Sequence, residues 1–118
     1  MISSKLTYLI AESAYNATKV FSEQVLNEEK TEWGLLPGAA KARYINAVYN
    51  CITKRVTDPA AVHGMWLVDM TKEGWVYGEE YDEVKKHHPC MKEYADLELG
   101  QQTKDQIFVE LLKPYYTL

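Results

Sequence analysis

The chain has 118 residues, of which 47% are apolar and 25% charged, with a formal net charge of −4. That length supports one hydrophobic core but not two, and the balance is that of a globular domain, not a disordered, collagenous or disulfide-stapled chain. The acidic balance gives no general attraction to a polyphosphate backbone, so no nucleic-acid partner is expected.

From the N-terminus, Leu6, Leu9, Ile10, Ala14, Ala17, Val20, Phe21 and Val25 recur at three and four. This spacing predicts an amphipathic helix over about 4–26, with Ser3 or Ser4 as its N-cap. No charge-free apolar run opens the chain and no stretch approaches the roughly 20 residues that span a bilayer, so neither a signal peptide nor a membrane partner is expected. Asn27, Gly34, Pro37 and Gly38 then punctuate a loop, which Trp33, Leu35 and Leu36 should anchor to the core. A second helix is predicted from Pro37 or Gly38 to Lys54, with Ile45, Val48, Tyr49 and Ile52 on its apolar stripe. Asp58 caps a third that opens on Pro59, and Gly74 ends it near Lys72. "WVYG" between glycines and "CMKEY" after Pro89 are the two segments expected to pair as a small β-hairpin. Last, Ile107, Phe108, Leu111 and Leu112 predict a C-terminal helix over about 101–112, stopped by Pro114. The fold class is therefore α+β and mostly α-helical: about four helices and a two-stranded hairpin in a single domain over 1–118.

The chemistry is harder to read. No nucleophile elbow, phosphate-binding loop, dinucleotide fingerprint or HExxH is present, so an enzyme is not expected. Cys51 and Cys90 form no CxxC pair, which favours reduced thiols in a cytoplasmic setting. Cys90 two residues from His88 is a weak hint of a Cys–His nucleophile; a structural thiol is the better reading. His63, His87, His88 and Cys90 are metal-ligand types, but a second ligand pair is missing and a lone His63 sits inside a helix, so neither a metal nor any cofactor is expected. His63 reads equally well as a helix residue that bonds a neighbouring loop. Lys85, Lys86, His87 and His88 form a compact basic cluster near Trp66, Trp75 and Tyr77, a pattern that suits a phosphate attached to a base. The competing reading is a solvated lysine pair beside core aromatics.

The run from Asp58 to Leu97 resembles the RyR domain, the module repeated in the cytoplasmic part of ryanodine receptors and also found alone in bacterial and phage proteins. The shared pattern is carried by His63, Trp66, Gly74, Trp75, Tyr77, Gly78, Asp82, Lys86, His88, Pro89, Cys90, Met91, Tyr94 and Leu97. Lys104, Asp105 and Phe108 are similar to the tail of the bacterial form. Two departures stand out: Tyr15, Asn16, Lys19 and Phe21 replace a His-Glu-Arg-Tyr set on the first helix, and Met70 stands where a Lys is common. The resemblance implies a compact helical domain with a short hairpin and no catalytic residues. For function it implies a sensor or binder of a nucleotide-derived signal, or a phage protein that sequesters one. The residues expected at such a site are Tyr15, Lys19, His63, Trp66, Trp75, Tyr77, Lys86 and His88. The alternative expectation is a protein-interaction or assembly module without a small ligand, forming a homo-oligomer.

Overall fold

The computed structural model describes residues 2–118. Helix α1 spans Ser4–Gln24, with the Ser3 side chain accepting from the Leu6 amide at 3.1 Å. Helix α2 runs Gly38–Lys54 and ends at Arg55, whose left-handed φ of 51° turns the chain. Helix α3 is Pro59–Lys72; Asp58 Oδ1 accepts from Ala60 N–H at 2.9 Å, and Pro59 fills the first turn, where a missing N–H costs nothing. Its far end closes on Gly74 at φ 92°, from which the Trp75 amide reaches back to the Met70 carbonyl at 3.0 Å. A left-handed residue with this six-residue return bond is the geometry glycine adopts most readily. Helix α4 covers Leu99–Leu112, and Pro114 converts the chain to a 3-10 turn over Lys113–Tyr115.

Helix α4 is central, touching α1, α2 and α3. Its Val109 and Leu112 are fully buried with Val48 and Cys51 of α2. The loop after α1 is anchored by Trp33, 4% exposed, and by Leu36, whereas Leu35 points outward.

The buried face of α1 follows the expected stripe only in part. Ile10 and Ala14 are buried as expected and Leu6 packs against the core, but Thr7, Ala11, Thr18 and Ser22 are buried too, while Leu9, Val20 and Val25 remain exposed. Small side chains let the helices approach closely, and two of the hydroxyls are satisfied within the helix: Thr7 donates to the Ser3 carbonyl at 2.8 Å and Thr18 to that of Ala14 at 3.0 Å.

The β element also needs correction. Strand β1 is Val76–Tyr77 as expected, but its partner β2 is His87–His88, not the segment after Pro89, and the two run parallel, so they are not a hairpin. The reason lies in the intervening loop. Asp82 Oδ1 accepts from the amides of Val84 and Lys85, both at 3.0 Å, and tightens a turn that ends at Lys86 with φ 58°. Asp82 and His87 then exchange two backbone bonds of 2.9 Å, so β2 threads between Asp82 and β1. A Cβ on Gly78 would lie 2.5 Å from that of His87, so only glycine fits where the strands converge. Pro89 has no N–H and lies in a turn, which ends β2 after two residues.

Candidate functional site

The residues singled out in the sequence fall into two groups. Helix α3 presents His63 and Trp66 one turn apart, and the β element brings Trp75 and His88 over them. The ring of His88 lies 4.9 Å from Trp66, 5.6 Å from Tyr81 and 6.1 Å from Trp75, each roughly edge-on. Trp75 stacks on Tyr81 at 5.6 Å, and Trp66 stacks on His63 at 5.4 Å. Tyr77 stands at the rim, about half exposed, with the Lys92 ammonium 5.9 Å from its ring centre.

His88 is not the cation that its basic neighbours suggested. Its Nδ1 accepts from the Cys90 amide at 3.0 Å, which leaves Nε2 as the nitrogen that carries the hydrogen. Burial, reinforced by the charges of Lys30 and Lys104, pushes its pKa down to about 4, so the ring is neutral near pH 7. His63 is buried; its Nε2 donates to the Lys92 carbonyl at 2.7 Å, while Nδ1 faces Asp105 Oδ2 at 3.9 Å. That bond joins α3 to the loop after β2, the role anticipated for a helix histidine bonded to a neighbouring loop. Burial raises the Asp105 carboxyl to about 6 against the opposing pull of His63 and Lys104. The Cys90 thiol is likewise raised by burial, the opposite of activation.

Lys86 is engaged elsewhere. Its Nζ donates to the Glu73 carbonyl at 2.6 Å and so caps α3, whose Glu73 carboxylate is gripped by Arg43 at 2.9 and 3.1 Å. Tyr15 and Lys19 belong to the second group, on α1. The Tyr15 hydroxyl donates to the Thr31 carbonyl and its ring packs on Trp33 and Tyr44. Lys19 is paired with Glu23 and Glu32, both at 3.1 Å. Beside them an open depression of about 460 Å³ is lined by Glu23, Glu29, Lys30 and Thr31. Met70, the position where a lysine was missed, is buried.

Several polar residues of this region were not expected at the site from the sequence. Lys30 comes from the loop after α1, whose composition carries no periodicity, and Lys104 and Asp105 come from α4, where only the family resemblance marked them. Tyr81 sits in the loop between the strands. The fold gathers them from positions far apart in sequence. Among the described residues no cluster of three or more His, Cys, Asp or Glu side chains is arranged to hold a metal ion. Nor is any helix among them long and apolar enough to cross a membrane.

What these elements define is a small, predominantly helical domain in which a two-stranded element clasps an aromatic and imidazole cluster against α3. The family model of the RyR domain matches residues 54–117, more than half of the chain, and the chain belongs to that family.

Proposed function

We propose that this chain is a non-catalytic binding domain for a small phosphorylated, nucleotide-derived molecule, acting in the cytoplasm as a sensor or as a sequestering protein of bacterial or phage origin. One observation carries the reading: three aromatic rings converge on a histidine that is kept neutral while lysine charges act on it. A neutral imidazole with Nε2–H is a hydrogen-bond donor suited to a base or ribose, and the flat walls of Trp66, Trp75, Tyr77 and Tyr81 suit a base. Base–aromatic stacking contributes roughly 1–3 kcal/mol per base and a charge-assisted hydrogen bond roughly 1.5–3 kcal/mol. Two or three such contacts reach micromolar affinity after the cost of association. The Cys90 thiol is raised by burial, which argues against a thiolate nucleophile.

The test is a thermal-shift series with mononucleotides, cyclic dinucleotides and ADP-ribose. Ligand at about one hundred times its Kd stabilises by about 2.7 kcal/mol, a rise in Tm of several degrees. The rise should vanish in Trp75→Ala. If no compound raises the Tm of the wild type, or the rise persists in the variant, the reading is wrong.

A second reading has its own support. Val76, Tyr77, Tyr81 and Val84 are all more than half exposed, and Val84 is 94% exposed, which gives the β element an apolar outer surface. An interaction or assembly module would use that surface, and sedimentation velocity would then show a homo-oligomer that Val84→Asp dissolves while no nucleotide binds.

A further inference from the structure

The carboxylate of Glu28 is held by three donors from two parts of the chain. Lys104 Nζ lies 3.1 Å and Lys30 Nζ 3.6 Å from its Oε1, and Gln101 Nε2 donates to Oε2 at 2.8 Å. Gln101 and Lys104 share one face of the N-terminal part of α4 at a spacing of three, and Lys30 reaches across from the loop after α1. Two cations thus serve one carboxylate, with Lys104 keeping 23% and Lys30 35% of its side-chain surface in solvent.

Both ammonium groups share the one Glu28 oxygen. Burial lowers the pKa of Lys30 and the nearby Lys104 charge lowers it further, with Glu28 only partly opposing them. Burial alone would raise Glu28, but Lys104 and Gln101 outweigh it and hold the carboxylate ionised. The same two lysines bear on His88 and, together with Lys92, on Cys90. In an acidic chain, this patch beside the β element is therefore a local concentration of cations, faced by the carboxylates of Glu28 and Asp105.

We infer that Lys30, Lys104 and Gln101 form an anion subsite for a phosphate monoester, in which Glu28 is the resident placeholder that the ligand displaces. A carboxylate offers two oxygens and one charge; a phosphate monoester near pH 7 offers three terminal oxygens and between one and a half and two charges. It therefore matches two ammonium groups and an amide better than Glu28 does. Displacement asks for little rearrangement. Glu28 sits in a segment without helix or strand, held through its amide to the Ser22 carbonyl at 3.0 Å, so its side chain can rotate outward while the loop backbone stays attached to α1. This rests on the phosphorylated-ligand reading above: the phosphate would sit on α4 and the base would lie toward Trp66 and Trp75.

The experiment titrates inorganic phosphate at constant ionic strength and pH 7.5 into the full chain, read by amide chemical shifts. Wild type should bind weakly, with shifts at residues 28–30 and 101–104. Glu28→Gln, which removes the competing charge but keeps the size, should tighten binding about tenfold, and Lys104→Met or Lys30→Met should abolish it in either background. Trp75→Ala should leave inorganic phosphate binding unchanged. The inference is overturned if Glu28→Gln, with a native spectrum, binds phosphate no more tightly, or if the shifts lie elsewhere. The two readings separate cleanly. Trp75-dependent nucleotide binding that ignores Glu28 and Lys104 keeps the proposed function and removes the subsite; Lys104-dependent phosphate binding without any nucleotide preference does the reverse.

Discussion

The molecule contains two aromatic clusters, and they are built to different rules. In the first, Tyr8, Tyr15, Trp33, Tyr44 and Phe108 interlock at centroid distances of 5.4–6.0 Å between α1, α2, α4 and the loop that carries Trp33. Most of its polar atoms find partners inside the chain: Trp33 Nε1 donates to the Tyr8 hydroxyl at 3.1 Å and Tyr15 to the Thr31 carbonyl. Tyr44 Oη is the exception, buried without a partner among the described residues, with Thr18 close by but outside bonding geometry. In the second, Trp66 of α3 meets Trp75, Tyr81 and His88 from a short β element and its loops, beside a lysine, an aspartate and a thiol that, like His88 itself, have had their protonation displaced by the fold. The first cluster is a core that fixes helix positions. The second carries electrostatic strain that helix packing does not require, and strain of that kind concentrates where a protein binds something.

The largest expected effect tests whether the first cluster is the structural one. Trp33→Ala removes a 4% exposed indole that meets Tyr8, Tyr15 and Tyr44, and should cost about 3–5 kcal/mol. Trp75→Ala removes a partly exposed ring on the edge of the domain and should cost less than half of that. Chemical denaturation of both variants measures the contrast. Equal losses would mean that the second cluster is a core in its own right and that its aromatics need no ligand to explain them.

A middle-sized effect comes from the displaced carboxyl. Asp105 titrates at about 6 in the folded chain, against about 3.9 when unfolded, so the native state holds the proton more tightly between those values. Its stabilising contribution is full below the unfolded value and is lost as pH rises through the folded one. At pH 7.5 the ionised group costs on the order of 2–3 kcal/mol, and Asp105→Asn should recover a part of it, raising the Tm. The gain over wild type should shrink toward zero by pH 4. His88 runs the opposite way. Its folded value of about 4 lies below the usual 6.5, so its contribution is present above 6.5 and is lost as pH falls through 4. The two oppose each other between pH 4 and 6, and wild-type stability should be flat there while Asp105→Asn grows more stable with rising pH. A Tm gain in Asp105→Asn that is the same at pH 4 and 7.5 would contradict the assignment.

How far the sequence revealed these two regions follows from the range of the interactions involved. Helix ends are local, and Ser3, Asp58, Pro59 and Gly74 marked them with cap and turn chemistry that the structure reproduces. The buried face of α1 was read correctly at Ile10 and Ala14 and misread elsewhere, because hydropathy ranks Leu9 and Val20 above Thr7, Thr18 and Ser22, whereas close helix packing selects for small volume and tolerates a hydroxyl bonded to its own helix. The partner of β1 was misread because its choice depends on the Asp82 turn and on backbone approach at Gly78, neither of which strand propensity encodes. Much of the family pattern now has a structural account: Gly74 ends α3, Gly78 admits β2, Asp82 sets the turn, His63 ties α3 to the next loop and Leu97 is buried. The cation cluster was invisible for another reason. Lys30 and Lys104 are separated by most of the chain, and only the packing of the loop after α1 on α4 brings them to one carboxylate.

The smallest expected effect distinguishes a ligand contact from a fold contact at Lys86. The residue combines a left-handed backbone, which costs a non-glycine side chain about 1 kcal/mol or slightly more, with an ammonium that caps α3 through the Glu73 carbonyl at 2.6 Å. Lys86→Ala keeps the strained backbone and loses the cap, so it should lower stability by roughly 0.5–1 kcal/mol. Lys86→Gly loses the same cap but relieves the backbone, so the two terms offset and stability should stay within about 0.5 kcal/mol of wild type. The difference between the two variants therefore isolates the backbone, and urea denaturation resolves it. If the ammonium is committed to α3, neither variant should change nucleotide affinity more than about twofold. A tenfold loss shared by both would move Lys86 into the binding surface and extend the second cluster across the turn that Asp82 sets.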